Sequence, residues 1–322
     1  MPASGCLPFT ATLADFDGEA ATLMAALDAA EPAARWRCRW LHPRFREGGV
    51  DQVAAAALDL DDARLVVARE YGFSDWPHLA DFTEAVVRDA DVLQFERAAD
   101  AVVGGDVAAL QGMLRGAPEL ARARSTRRHH AALLHYVAAN GVEDVRQRTP
   151  PTAVEVARVL LDAGADVDAF ADAYGGRCTT LGLLVSSRPP ADAGLQTSIA
   201  ELLVERGASL DGRGSAWASA LGTALAFGYA DTARMLVRHG APVETLAIAA
   251  GLGRVDDVAR LLPTAAGDAR RAALALAAQH GHVEVVAPCS TRAGSPTPSI
   301  LRATTSTPRR CTRPWRRATS TS

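Results

Sequence analysis

His280 and His282 have the H-x-H spacing of a metal-binding pair. A bound metal needs further Cys, Asp or Glu ligands converging on it, and the sequence sets none beside these two. Asp15, Asp17 and Glu19 could supply the paired carboxylates of general acid–base chemistry. They stand at a helix start, however, where acids complement the positive end of the dipole. Arg122, Arg124, Arg127 and Arg128, followed by His129 and His130, could hold a phosphate; a solvated loop is the simpler reading. Ser186 and Ser187 lack the G-x-S-x-G elbow of a nucleophilic serine. The five cysteines, Cys6, Cys38, Cys178, Cys289 and Cys311, form no C-x-x-C pair and are odd in number, which fits reduced structural thiols. All 34 basic residues are arginine, which excludes a Schiff-base lysine and the P-loop and kinase phosphate contacts. No catalytic, cofactor-binding or metal-binding set is assigned, and the chain is expected not to be an enzyme.

The residue types that remain suit an interface. Asp172, Tyr174 and Arg177 stand in a loop from Phe170 to Cys178, and Arg213 and Trp217 in a loop from Asp211 to Ala218. Exposed Tyr, Trp and Arg are the side chains that most often anchor a protein partner. The competing reading is that Tyr174 and Trp217 merely pack between neighbouring loops.

Helices must carry those loops. Hydrophobic residues make up 48% of the chain but aromatics only 5%, a balance of small side chains that suits closely stacked helices. One helix-ending phrase recurs, at Ala153–Asp168, Ser198–Asp211 and Asp231–Val243. Its glycines, Gly164, Gly207 and Gly240, lie 43 and then 33 residues apart. A period in this range marks stacked repeats. Six helix pairs follow from Asp91 onward. Their inner turns place glycine, which ends one helix in the left-handed conformation, just before an acid that caps the next or meets its dipole. Residues 1–90 stand apart as a small helical module. Its aromatic core is drawn from Phe16, Trp36, Trp40, Phe45, Trp76 and Phe82.

The period, the paired helices, the string G-H-V-E-V-V and the phrase L-L-x-x-G-A-x-V-D resemble ankyrin repeats over Asp91–Val286. The resemblance implies an all-α ankyrin solenoid of about six pairs that binds proteins through its concave face and loop tips. The family's T-P-L-H opening is intact nowhere. Ala132–His135 comes nearest, and His135 takes the structural histidine's place; the turn that the motif forms is expected to be looser here. The first 90 residues resemble the helical leader of some bacterial ankyrin-repeat proteins.

The last copy starts at His280 and breaks off after Val286. Residues 287–322 hold 14 Ser or Thr, five Pro, seven Arg and no acid, a composition that cannot bury a core. The rest of the chain carries 27 arginines against 37 acids, a net charge of −10. Back-translated with permitted codons and read in another frame, the segment after Val286 is compatible with R-A-L-L-D-A-G, D-P-F-N-P-E-G-Y-H and H-A-T-P-L-H-Q-A-V-A-A-G-H-L-D-V. The first string completes the broken repeat and the last opens another. A frame shift near Val286 is therefore expected. Sequencing the DNA across that codon should reveal a second frame that continues the repeat; a second frame with no such continuation overturns the idea. As written, the sixth pair loses most of its second helix. Leu274, Leu276, Val283 and Val285 are then left uncovered, with self-association as the consequence.

No apolar run reaches the length of about 18 residues that a membrane span needs, and no signal peptide opens the chain. A cytoplasmic protein with a protein partner is expected, with no cofactor. Two alternatives stand beside it: a nucleic-acid adaptor acting through the arginine-rich tail, disfavoured by the acidic remainder, and an enzyme with its site in residues 1–90.

Overall fold

A computed structural model describes residues 6–142, 146–210 and 219–290. Arg213, Trp217 and the tail from 291 lie outside the described residues. The chain is mostly helical and divides into two compact units, Met1–Val243 and Glu244–Ser322. The boundary read from sequence at residue 90 falls inside the first unit.

The first unit opens with five helices: α1 (Leu13–Asp28), α2 (Pro32–Leu41), α3 (Val50–Ala54), α4 (Leu60–Glu70) and α5 (Trp76–Arg88). Capping fixes their starts. The Thr12 hydroxyl accepts from the Asp15 N–H, and the Asp15 carboxylate accepts from the Thr12 N–H at 2.8 Å. Asp59 and Asp62 repeat the arrangement on α4. Phe9, Phe16, Leu23, Phe45, Tyr71, Leu79 and Phe82 fill the core between these helices. Trp36 and Trp40, expected in that core, are instead 48% and 52% exposed. The inner stripe of α2 is taken by Ala34 and Cys38, one turn apart, and the tryptophans fall on the other side.

Four helix pairs follow in this unit. They are α6 (Ala90–Gly104) with α7 (Val107–Gly116), α8 (Leu133–Tyr136) with α9 (Ala153–Asp162), α10 (Thr180–Leu184) with α12 (Gln196–Glu205), and α13 (Ala220–Ala226) with α14 (Ala230–Arg238). The proline-bearing insert of the third pair winds into a short helix, α11 (Arg188–Asp192). First helices pack on first helices, α6 to α8 to α10 to α13, and second on second, α7 to α9 to α12 to α14. The second unit repeats the scheme with α15 (Leu246–Gly251), α16 (Val255–Leu261), α17 (Gly267–Gln279) and α18 (Val283–Ser290).

The recurring phrase has one geometry. Gly164, Gly207 and Gly240 take φ of +90°, +92° and +93°. In each copy the next N–H reaches back five residues to a leucine carbonyl: Ala165 to Leu160 at 3.0 Å, Ala208 to Leu203 at 3.0 Å, and Ala241 to Leu236 at 2.9 Å. This is the closure that satisfies a helix's last carbonyls, and only glycine enters it without strain. The three leucines are fully buried.

The openings of the pairs are better held than the degenerate motif suggested. Thr179, Ser219 and Thr245 each cap a first helix by accepting the N–H three residues on, at 3.1, 3.0 and 3.2 Å. The hydroxyl of the motif persists, and the cap does not depend on the residues that follow it. At the other end α18 runs four residues past Val286. Val285 and Cys289, one turn apart, are buried, whereas Val283 is 76% exposed. Val285 is thus covered, contrary to expectation; Leu274 and Leu276 are half-buried.

Candidate protein-binding surface

Between the second and third pairs the chain forms a hairpin. Strand β1 (Ala171–Ala173) runs antiparallel to β2 (Gly176–Cys178), with Asp172 opposite Arg177. Ala171, Ala173 and Cys178 face inward and are buried. Asp172 and Arg177 share the outer face, as the two-residue side-chain period of a strand requires.

The two-residue connection is Tyr174–Gly175, with φ of +54° and +78°. Left-handed backbone at both positions is the turn whose twist matches paired strands. A tyrosine there costs about 1–2 kcal/mol against glycine, and the neighbouring pair offsets it. The Tyr174 hydroxyl donates to Asn140 Oδ1, while Asn140 Nδ2 donates to the Leu183 carbonyl at 3.3 Å and to Ser186 Oγ at 3.0 Å. Gly141, at φ +74°, leaves room for the ring: a Cβ there would lie 3.0 Å from Tyr174 Cε2. Tyr174 nevertheless remains 64% exposed. Anchored through its hydroxyl, it presents its ring to solvent.

The flanks are polar. His130 Nδ1 meets Asp172 Oδ2 at 2.9 Å, and the Asp172 N–H donates to the His129 carbonyl at 2.7 Å. The Arg177 guanidinium lies 4.2 Å from the Phe170 ring centroid. Arg124 donates to the Phe170 and His130 carbonyls, tying the hairpin base to the preceding loop. An open groove of about 500 Å³ lies there, lined by Arg122, Arg124, Ala132, Gly164, Asp166 and Ala169. The structure therefore gathers Asp172, Tyr174 and Arg177 on one hairpin and adds His130 and Phe170, which sequence reading left out. Arg213 and Trp217 lie outside the described residues.

The other sequence candidates disperse. Asp15 caps α1, Asp17 pairs with Arg64 at 2.7 Å, and Glu19 pairs with Arg37 at 3.0 Å and accepts from the Tyr71 hydroxyl at 2.8 Å. They form no joint carboxylate site. Burial raises the Glu19 pKa against the opposing effects of Tyr71 and Arg37. His280 and His282 stack ring on ring, with His282 Nε2 3.2 Å from the Gly251 carbonyl. His135, fully buried, spans Ala132 and the Ala169 carbonyl, the latter at 2.9 Å, and burial lowers its pKa.

The reading of residues 122–130 as a solvated loop is half wrong. Arg122, Arg124, Arg128 and His130 are exposed, but Arg127 is buried and His129 half-buried. Arg127 Nη2 lies 3.3 Å from Glu96 Oε2 and donates to the Tyr136 hydroxyl at 2.6 Å, and its guanidinium covers the Phe9 ring at 3.5 Å. Arg146 lies 4.5 Å from the Phe9 centroid and pairs with Asp100. The sequence held one signal of this cluster. Glu96 falls on the inner stripe of α6 with Val92, Phe95, Ala99 and Val103, where an acid needs a partner.

Among the described residues no helix is long and apolar enough to cross a membrane. No protein-family model matches the chain, and no curated protein matches it.

Proposed function

We propose that the chain is a non-catalytic ankyrin-repeat protein of the cytoplasm that captures a protein partner on its hairpin and the adjoining loop. Two rows of like-packed helices, three identical helix closures and a hairpin projecting between pairs support the repeat reading. The observation that carries the binding role is the Tyr174–Gly175 turn. It holds an exposed aromatic ring between Asp172 and Arg177 in a strained backbone, with the tyrosine hydroxyl donating to Asn140. An aromatic ring already held by its hydroxyl loses little entropy on binding.

A pull-down from lysate of the source cells with the full chain tests this. Tyr174→Ala and Arg177→Ala are each expected to lose the captured partner at least tenfold, because truncating an anchor costs about 2 kcal/mol or more. Capture indifferent to both substitutions would remove the hairpin as the site.

A further inference from the structure

The outer face of α2 carries a second kind of surface. Trp36 and Trp40, one turn apart, are about half exposed, and their rings stack with centroids 6.3 Å apart and planes at 19°. The Arg39 guanidinium lies 5.1 Å from the Trp40 centroid. Arg35 stands beside them on the helix, and Arg44 and Arg46 follow in and after the Pro43–Phe45 turn. Among the described residues none of these four arginines forms an ion pair. Arg37, on the same helix, is instead consumed inward by Glu19 and Glu70. The face thus combines two exposed indoles with Arg35 and Arg39, while Arg44, whose guanidinium lies 5.2 Å from the Phe45 centroid, and Arg46 follow beyond the helix end, in a chain whose first 286 residues carry a net charge of −10.

The inner stripe of α2 already fills the core, so exposing two indoles gains the fold little. Trp and Arg are the residues most enriched at binding hot spots. Charge complementarity sets the occupant's sign, and the tail of this chain, with seven arginines and no acid, has the wrong one. The ring geometry sets its chemistry. Trp36 and Trp40 are offset, with centroids 6.3 Å apart, and the Arg39 guanidinium lies on the Trp40 ring. The acidic remainder of the chain repels a long polyanion, whereas a short acidic segment can meet these guanidinium groups at contact distance, within a Debye length. The face thus offers exposed indole surface beside guanidinium groups. We infer that the α2 face docks an acidic segment of a partner protein, with its carboxylates on Arg35, Arg39, Arg44 and Arg46 and an apolar side chain against the Trp36 and Trp40 indoles. This surface stands independently of the repeat reading and of the hairpin.

Isothermal titration of the full chain provides the test, with three probes: a short peptide of Glu and Leu at helical spacing, its Gln-for-Glu counterpart, and single-stranded oligo(dT). The expected result is saturable binding of the acidic peptide alone. It should weaken at least tenfold with Trp40→Ala and with Arg35→Glu combined with Arg39→Glu, while circular dichroism stays unchanged. The charge-reversal variant leaves the core side of α2 untouched and decides the matter if the alanine variant fails to fold. Any of three results overturns the proposal: no saturable binding of the acidic peptide, equal binding to both variants, or tighter binding of oligo(dT) that the same substitutions abolish. Sedimentation showing that the chain dimerises through this face would overturn it in favour of a second copy.

Discussion

Glu96→Ala is expected to destabilise the protein by about 3–5 kcal/mol, among the largest losses any single substitution here would cause. Glu96 is fully buried and Arg127 is 6% exposed. Removing the carboxylate leaves a guanidinium that cannot shed its proton, in a site where water does not reach it. The Tyr136 hydroxyl and the Phe9 ring face the same group and are neutral, so the lost carboxylate charge is not replaced by them. Removing both charges at once should cost much less. Glu96→Leu with Arg127→Met is expected to recover most of the loss, because well-packed apolar replacements of a buried pair are often neutral. Urea unfolding followed by circular dichroism checks both statements. A Glu96→Ala midpoint that matches the wild type would mean that the pair is not shielded from water.

Stability is also expected to fall as the medium is acidified below about pH 6.5, before the carboxylates begin to titrate. Burial and the adjacent Arg127 guanidinium push the His129 pKa down to about 2. Burial lowers His135 as well. A histidine with a depressed folded-state pKa contributes fully above the unfolded-state value. Below that value the unfolded chain takes up a proton that the folded chain refuses. The contribution is therefore lost as pH falls from about 6.5 towards about 2. One such proton corresponds to about 1.4 kcal/mol per pH unit. Water at the half-buried His129 ring weakens the shift and so narrows the pH window, while the slope within it stays that of one proton. Arg127, Arg128, His130 and His135 act on His129 in the same direction. Urea midpoints measured between about pH 7 and pH 5 should fall steadily, and His129→Gln should flatten the slope. An unchanged slope in that variant would show that His129 is not the group responsible.

What could be read from the sequence was local. The pairs, the glycines that close their helices and the leader's helices all follow from apolar spacing and left-handed backbone, which neighbours along the chain determine. The hairpin was seen only as a loop. Its strands are three residues each, and Tyr174–Gly175 lacks the Asn-Gly or Asp-Gly signature of such a turn. It forms because Asn140 and the loop at His129 hold it, contacts more than thirty residues distant in sequence. Still, residue type alone pointed to Asp172, Tyr174 and Arg177 as exposed. Type alone misled at Trp36 and Trp40. Hydrophobicity assigned them to a core whose place on α2 small residues had already taken. It misled again at Arg127, because nothing near it in sequence announces Glu96. The acid on the inner stripe of α6 was the readable half of that pair.

The hydrogen bond between the Tyr174 hydroxyl and Asn140 has a practical consequence for transplantation. A designer who grafts residues 171–178 onto another scaffold would carry over the side chains but not their aim. The left-handed tyrosine would relax once the amide and the glycine beside it were missing. The portable module begins at Ala139 and ends at Ser186, so that Asn140, Gly141, the hairpin and the carbonyl of Leu183 travel together. The conformation of the hairpin is thus set by the residues of the pair before it, and the two move between scaffolds only together.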